Sequence, residues 1–199
     1  GMAFDGDADR IFFVDENGTV INSSLISALI IKNLLMKNRN ARIIYNLVCS
    51  HIVPDTIRQY GGIPLVERVG HSFIKETMRK TKALFACEHS AHYYYRDNYR
   101  ADSGMITSLI VAEIVSKEKK PLSDLLNEFR KYYTIGETSV DVKDKEAKIN
   151  KIEAIYSKQS PKRILRLDGL TIEFENWWFN VRPSNTEPLL RLNLEAKLE

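Results

Sequence analysis

Apolar and polar positions change their period several times along the chain. After Ser23 and Ser24, which can cap a helix, Leu25, Ile26, Leu29, Ile30, Ile31, Leu34 and Leu35 recur at the spacing of one helix face. RIIYNLV is a short continuous apolar run and predicts a buried strand. PDTIRQYGG predicts a helix with proline in its first turn and glycine at its end, and IPLVER predicts another strand. A helix is expected after His71, strands at ALFACE and HYYYR, and a longer helix over SGMITSLIVAEIVSKE. Strands alternating with helices predict a three-layer α/β domain with a mainly parallel, mixed sheet.

The pattern changes character between Lys117 and Gly136. Beyond KEKKP, Pro121 is expected to start a helix that runs through Tyr132 or Tyr133. TSVDV follows, then a charged helix around KDKEAKINKIEAIY, then three strands in RILRLDGL, TIEFE and WWFNV to LLRLNLEA. Asp168-Gly169 is a hairpin signal. This second part predicts a small α+β domain with an antiparallel sheet, its charged helix a solvated surface helix packed on that sheet. No internal repeat or low-complexity segment interrupts either part.

Composition narrows the picture only a little. The 199 residues suit one large or two small domains, and 44% hydrophobic content suffices for real cores. A net charge of +3 makes no demand for nucleic acid or an anionic membrane. The longest apolar stretch, LISALIIKNLLM, is broken by Lys32 and too short for a bilayer. With no basic-then-apolar leader at the start, a cytoplasmic location is expected. Cys49 and Cys87 are far apart in sequence and make no metal-type pair, so buried free thiols are expected.

The strongest chemical signal is AFDGDADRIFFVDENG, with Asp5, Asp7 and Asp9 at alternate positions and Arg10 next. Carboxylates so close repel one another unless water or a cation compensates, so a solvated acidic turn and a metal loop both fit. An EF-hand would need glycine at the sixth position, where Arg10 stands, and helices on both flanks, where RIFFV and Asn17-Gly18 read as strand and turn. An oxygen-rich Mg²⁺ site in a loop between strands is the preferred metal reading.

Three further polar segments end predicted strands, where α/β sheets commonly meet ligands. VGHSFIK places Gly70, His71, Ser72 and Lys75 at a helix start, as a cap or as an anion site. CEHSAHYYYR alternates Glu88, Ser90 and His92, which share a face if the strand continues. A glutamate beside a serine can accept from and donate to sugar hydroxyls. NVRPSNTEP gathers Arg182, Ser184, Asn185 and Thr186 between Pro183 and Pro188, a set of charge-assisted and hydroxyl donors suited to a phosphate dianion.

Together, FDGDADR, GHSFIK, CEHSAH and RPSNTEP resemble, in order and spacing, the metal loop, third-domain element, sugar loop and phosphate loop of the α-D-phosphohexomutases, the phosphomannomutase/phosphoglucomutase family. The family's sugar loop is usually written G-E-x-S-G/A-H. The resemblance implies that residues 1–20 are the remnant of domain two, 21–133 domain three and 134–199 domain four, the last resembling the TATA-box-binding-protein fold. It implies Mg²⁺ on Asp5, Asp7 and Asp9, with Arg10 and His92 in the catalytic set. It implies that His71 and Lys75 line the substrate-binding cleft, with sugar contacts at Glu88 and Ser90 and phosphate contacts at Arg182, Ser184, Asn185 and Thr186.

The implied reaction interconverts hexose 6-phosphate and hexose 1-phosphate, with mannose or glucose as the sugar, through a phosphoserine and a hexose 1,6-bisphosphate. The serine of the family's first domain, in a T-A-S-H-N-P-like loop, does not occur here, so the chain resembles the C-terminal half of such an enzyme and is expected to be inactive without the N-terminal domains. A non-catalytic phosphosugar-binding module is the alternative. The segments around CEHSAHYYYR and RPSNTEP are most similar to bacterial phosphomannomutases. Cys87 departs from the usual glycine and His89 from the common methionine, and NLVCSH lacks the basic residue of the family's KCTRR-like segment.

Overall fold

The computed structural model describes residues 1–184 and 187–197. Two compact units divide the chain, Gly1–Arg130 and Lys131–Glu199.

The first unit opens with a small antiparallel sheet: β1 (Met2–Phe4), β2 (Ile11–Val14) and β3 (Val20–Ile21). Its main sheet has the order β5 (Ile63–Glu67), β4 (Arg42–Asn46), β6 (Phe85–Cys87) and β7 (Tyr93–Tyr95); β5 and β6 run parallel to β4, and β7 is antiparallel to β6. The helices are α1 (Ser23–Lys37), α2 (Ile52–Gln59), α3 (His71–Thr81), α4 (Gly104–Glu118) and α5 (Leu122–Leu126).

Ile43 and Ile44 are neighbours on β4 and both are completely buried, so both faces of the sheet are covered. Ile44 packs with Ile74 and Met78 of α3, and with Ala86 and Tyr94 from the adjoining strands. The mixed, mainly parallel sheet expected from the alternating pattern is present.

Two local expectations are corrected. Neither Ser23 nor Ser24 is the cap of α1. Asn22 is, its side-chain oxygen accepting from the Ser24 amide at 2.8 Å. The serine hydroxyls serve tertiary links instead: Ser23 Oγ donates to the His89 carbonyl at 2.6 Å, and Ser24 Oγ accepts from the Ser50 amide at 3.1 Å. The helix begun near Pro121 also stops early. It becomes a 3₁₀ turn at Asn127–Phe129, and Tyr132–Thr134 forms a strand, β8. Aromatic and β-branched residues suit a strand, and a partner strand was available to take them.

Cys49 and Cys87 are free and buried, as expected, but not apart in space. The Cys49 thiol lies 3.9 Å from the Cys87 carbonyl and 3.1 Å from Asn46 Oδ1. Burial holds the Cys49 pKa well above that of an ordinary thiol.

The second unit has one antiparallel sheet in the order β10 (Arg163–Leu165), β11 (Leu170–Glu173), β12 (Trp177–Pro183), β13 (Leu189–Lys197), β8, with β9 (Thr138–Asp141) also on β13. The last predicted strand region is thus two long strands, paired from Trp177↔Ala196 to Pro183↔Leu190. The α-helix of this unit among the described residues is α6 (Lys145–Tyr156), capped by Asp144, whose carboxylate accepts from the Ala147 amide at 2.9 Å. It buries Ile149 against Leu170, Ile172, Phe179, Val181 and Leu190. Asp168-Gly169 makes the β10–β11 turn, with Gly169 at φ +68° and Asn180 Nδ2 donating to the Asp168 carbonyl at 3.0 Å. No helix among the described residues is long and apolar enough to cross a membrane.

Candidate active site

The acidic loop joins β1 to β2, so its flanks are strands. One oxygen from each of Asp5, Asp7 and Asp9 falls within 4.8 Å of the others. The loop is held from inside by Arg10: its Nε donates to Asp5 Oδ2 at 2.7 Å and its amide to Asp5 Oδ1 at 3.2 Å. That hydrogen bond lowers the Asp5 pKa and raises that of Arg10. Asp9 behaves oppositely. Burial is the largest cause of its raised pKa; the nearby His92 opposes this, and Asp7, Asp5 and Asp102 add to it. A set of hard oxygen donors, one of them penalised for its charge, fits a divalent cation such as Mg²⁺.

The loop is also fastened from outside by α4. Ser103 caps that helix, its hydroxyl accepting from the Ile106 amide, and the Gly104 amide donates to the Ala8 carbonyl at 3.1 Å. A Cβ on Gly104 would lie 2.9 Å from both the Ala8 and Arg10 carbonyl oxygens, so only glycine allows this approach. Gly104→Ala is expected to push the acidic loop outward and weaken Mg²⁺ binding at least several-fold, with a loss of roughly 1–3 kcal/mol in stability. Calorimetric Mg²⁺ titration of the variant checks this.

The sugar-loop candidates come together, though not by strand alternation. β6 stops at Cys87, and a turn follows: the Glu88 amide donates to the His92 carbonyl at 3.0 Å and the Ala91 amide to the Glu88 carbonyl at 3.1 Å, with Ala91 at φ +68°. The turn brings Ser90 Oγ to 2.9 Å from His92 Nδ1. Arg10 and His92 form an isolated antiparallel bridge, which joins this turn to the acidic loop.

His92 stands among three carboxylates. Its Nε2 is 3.6 Å from Asp9 Oδ2 and 4.0 Å from Asp102 Oδ2, and its Nδ1 is 3.8 Å from Glu88 Oε1.

Glu88 is only 2% exposed. Its Oε1 accepts from the Tyr94 hydroxyl at 2.6 Å, and its Oε2 from Asn46 Nδ2 and the Gly70 amide, each at 3.2 Å. Burial, reinforced by the Glu88 charge, raises the Tyr94 pKa far above that of a free phenol, so Tyr94 remains a donor. Lys75 Nζ pairs with Asp102 Oδ1 at 3.0 Å. His71 is exposed and opens α3 one residue after Gly70. Asn46, Tyr94 and Asp102 were not singled out from sequence. Asn46 and Tyr94 stand inside apolar runs, and Asp102, part of an RDxxxxDSG pattern in the sequence, gains a role only when Lys75 and His92 are placed beside it.

In the second unit, Arg182 lies near the end of β12. Its Nη2 donates to Glu137 Oε2 at 2.9 Å; Arg191 Nη1 reaches Glu137 Oε1 at 3.0 Å and Asn193 Nδ2 reaches Oε2 at 3.3 Å. Burial alone would raise the Glu137 pKa, but the hydrogen bond and charge of Arg182, with Asn193 and Arg191, bring it below the usual carboxylate range. The Nε atoms of Arg182 and Arg191 are buried without a hydrogen-bond partner among the described residues. Ser184 is buried, and Lys145 Nζ donates to the Ser184 and Glu187 carbonyls at 2.8 and 2.7 Å. Asn185 and Thr186 lie outside the described residues. Glu137, Arg191 and Lys145, distant in sequence from RPSNTEP, were also not singled out.

Residues 22–133 match the phosphoglucomutase/phosphomannomutase alpha/beta/alpha domain III model and residues 137–199 the C-terminal domain model of the same family. The chain belongs to the phosphoglucomutase/phosphomannomutase family and corresponds to its C-terminal part. The phosphomannomutase of Methanocaldococcus jannaschii is 44% identical over 196 residues, 98% of this chain and 43% of that protein. The phosphomannomutase of Escherichia coli K12 is 40% identical, over 99% of this chain and 43% of its own length. A phosphoglucomutase/phosphomannomutase family protein from Burkholderia thailandensis superposes with a TM-score of 0.89 at 32% identity, covering all of this chain and 43% of that one. The chain therefore spans less than half the length of the relatives it matches.

Proposed function

We propose that this chain is the C-terminal part of a phosphohexomutase that interconverts hexose 6-phosphate and hexose 1-phosphate, with residues 1–20 closing domain two, domain three following from residue 21, and domain four starting at Lys131 rather than at residue 134, because β8 pairs with β13 in the second unit. The observation that carries the proposal is the cluster in the first unit: Arg10 and His92 bridge the acidic loop to the turn bearing Glu88 and Ser90. Metal donors, an imidazole and a sugar-type acceptor thus share one place.

Phosphoryl transfer rests on positioning and charge stabilisation. Asp5, Asp7 and Asp9 would hold Mg²⁺, which when bound supplies positive charge for the phosphoryl oxygens. Arg10 orients the loop through Asp5. Glu88 and Ser90 would take sugar hydroxyls, and His92 is placed to move a proton at Nε2 or Nδ1. Arg182 and Ser184, with Asn185 and Thr186, would hold a phosphate. A phosphate oxygen would satisfy the buried Arg182 Nε.

The test is an assay of mannose 6-phosphate conversion with Mg²⁺ and glucose 1,6-bisphosphate supplied. The whole enzyme is expected to turn over, and this chain alone to be inert for want of the phosphate-carrying serine. The Asp7→Ala change should abolish weak Mg²⁺ binding by the chain. A whole enzyme that binds hexose phosphate but never converts it would replace this reading with that of a phosphosugar-binding module.

A further inference from the structure

A pocket of about 320 Å³ opens in the first unit, lined by Ser72, Lys75, Glu76, Arg79, Tyr99 and Arg100. The four residues from α3 fall at positions that share one helix face, and the other two come from the turn before α4. Three of these side chains are cationic and one is anionic. Glu76 is already neutralised by Lys80 at 2.6 Å, and Lys75 is committed to Asp102 at 3.0 Å.

Among the described residues Arg79 and Arg100 have no ion-pair partner, and Arg100 Nε is buried without a hydrogen-bond partner. A buried donor left in that state is costly unless an acceptor arrives. The backbone also takes an unfavourable course to put it there: Tyr99 and Arg100 are successive non-glycine residues at φ +52° and +62°. The turn is held by the Arg100 amide on the Tyr95 carbonyl at 3.1 Å and the Ala101 amide on the Asn98 carbonyl at 2.8 Å.

We infer that this pocket is an anion site that binds a phosphate dianion through the guanidinium groups of Arg79 and Arg100, with the Ser72 and Tyr99 hydroxyls as further donors. A phosphate offers several strong acceptor oxygens to two forked donors, which no single carbonyl or water matches. The pocket has room for more than the inorganic ion, so the phosphate can come free or as an ester. None of Ser72, Arg79, Tyr99 and Arg100 belongs to the acidic loop, the sugar loop or the Arg182 turn, and the inference does not depend on the catalytic reading.

The test is a titration of the ¹⁵N-labelled chain with inorganic phosphate at pH 8 and constant ionic strength, followed at the amides of Ser72, Tyr99 and Arg100. Saturable shifts are expected. The Arg79→Gln and Arg100→Gln changes should each weaken the affinity about tenfold, and the double change should remove saturation. Arg79 is on an exposed helix face, so Arg79→Gln leaves packing intact. A parallel titration with mannose 6-phosphate assigns the source: tighter binding than inorganic phosphate marks an ester site, and equal or weaker binding marks a site for the free ion. Shifts strictly proportional to concentration, or saturable shifts that survive the double substitution, would overturn the inference.

Discussion

Replacing Glu88 with alanine is expected to destabilise the first unit by roughly 4 kcal/mol and to reduce kcat/KM of the whole enzyme by at least two orders of magnitude. The stability loss follows from what is left behind. The Tyr94 hydroxyl, the Asn46 amide and the Gly70 N–H all donate to this buried carboxylate, and each orphaned donor costs ~1–3 kcal/mol. Glu88→Gln keeps the volume and one acceptor oxygen, so about half the stability should return, while recognition of a sugar hydroxyl by a charged acceptor should not. Urea denaturation of both variants, alongside steady-state kinetics, separates the two effects. Loss of less than 1 kcal/mol in Glu88→Ala would show that the buried contacts are not what holds this turn.

The second large effect is expected at Gly169. A Cβ there would fall 2.2 Å from the Val181 carbonyl oxygen and 2.6 Å from Arg182 Cα, both backbone atoms that cannot step aside, and the residue sits at φ +68°. Gly169→Ala should cost about 3 kcal/mol or more, which for so small a unit corresponds to a drop in Tm of roughly 12–24 °C. Because the clash is with the backbone of Val181 and Arg182, the variant should also misplace the Arg182 guanidinium. Calorimetry reads the first effect, and phosphate affinity of the protein that remains folded reads the second. An unchanged Tm would mean that β12 can shift away from the turn without penalty.

The order of helices and strands was legible in the sequence because apolar spacing is a local property. What was lost depended on partners far along the chain. Tyr132–Thr134 looked like the end of a helix until β13 was present to pair with it. Glu88, Ser90 and His92 were correctly suspected of facing one another, but the cause is a turn through a left-handed Ala91, which no alternation rule contains. The triplet Asp102-Ser103-Gly104 has a separate physical reason at each position: an ion pair to the half-exposed Lys75, a helix cap, and a backbone too close to the acidic loop for any Cβ. Arg182 was legible as a cation, whereas its carboxylate Glu137 was not, because 45 residues separate them.

The way the acidic loop is fastened also bears on how it can move. Gly104 holds the loop's Ala8 carbonyl, while β2, directly after the loop, packs on α1 and α4 with Ile11 and Phe13 fully buried. The loop therefore cannot loosen by itself; it comes free only when the opening hairpin peels from the helices, exposing two large apolar side chains at once. Its fluctuations are then set by the opening free energy of a cooperative unit rather than by the pliancy of Gly6 or Ala8, and the carboxylate spacing should persist until that unit opens.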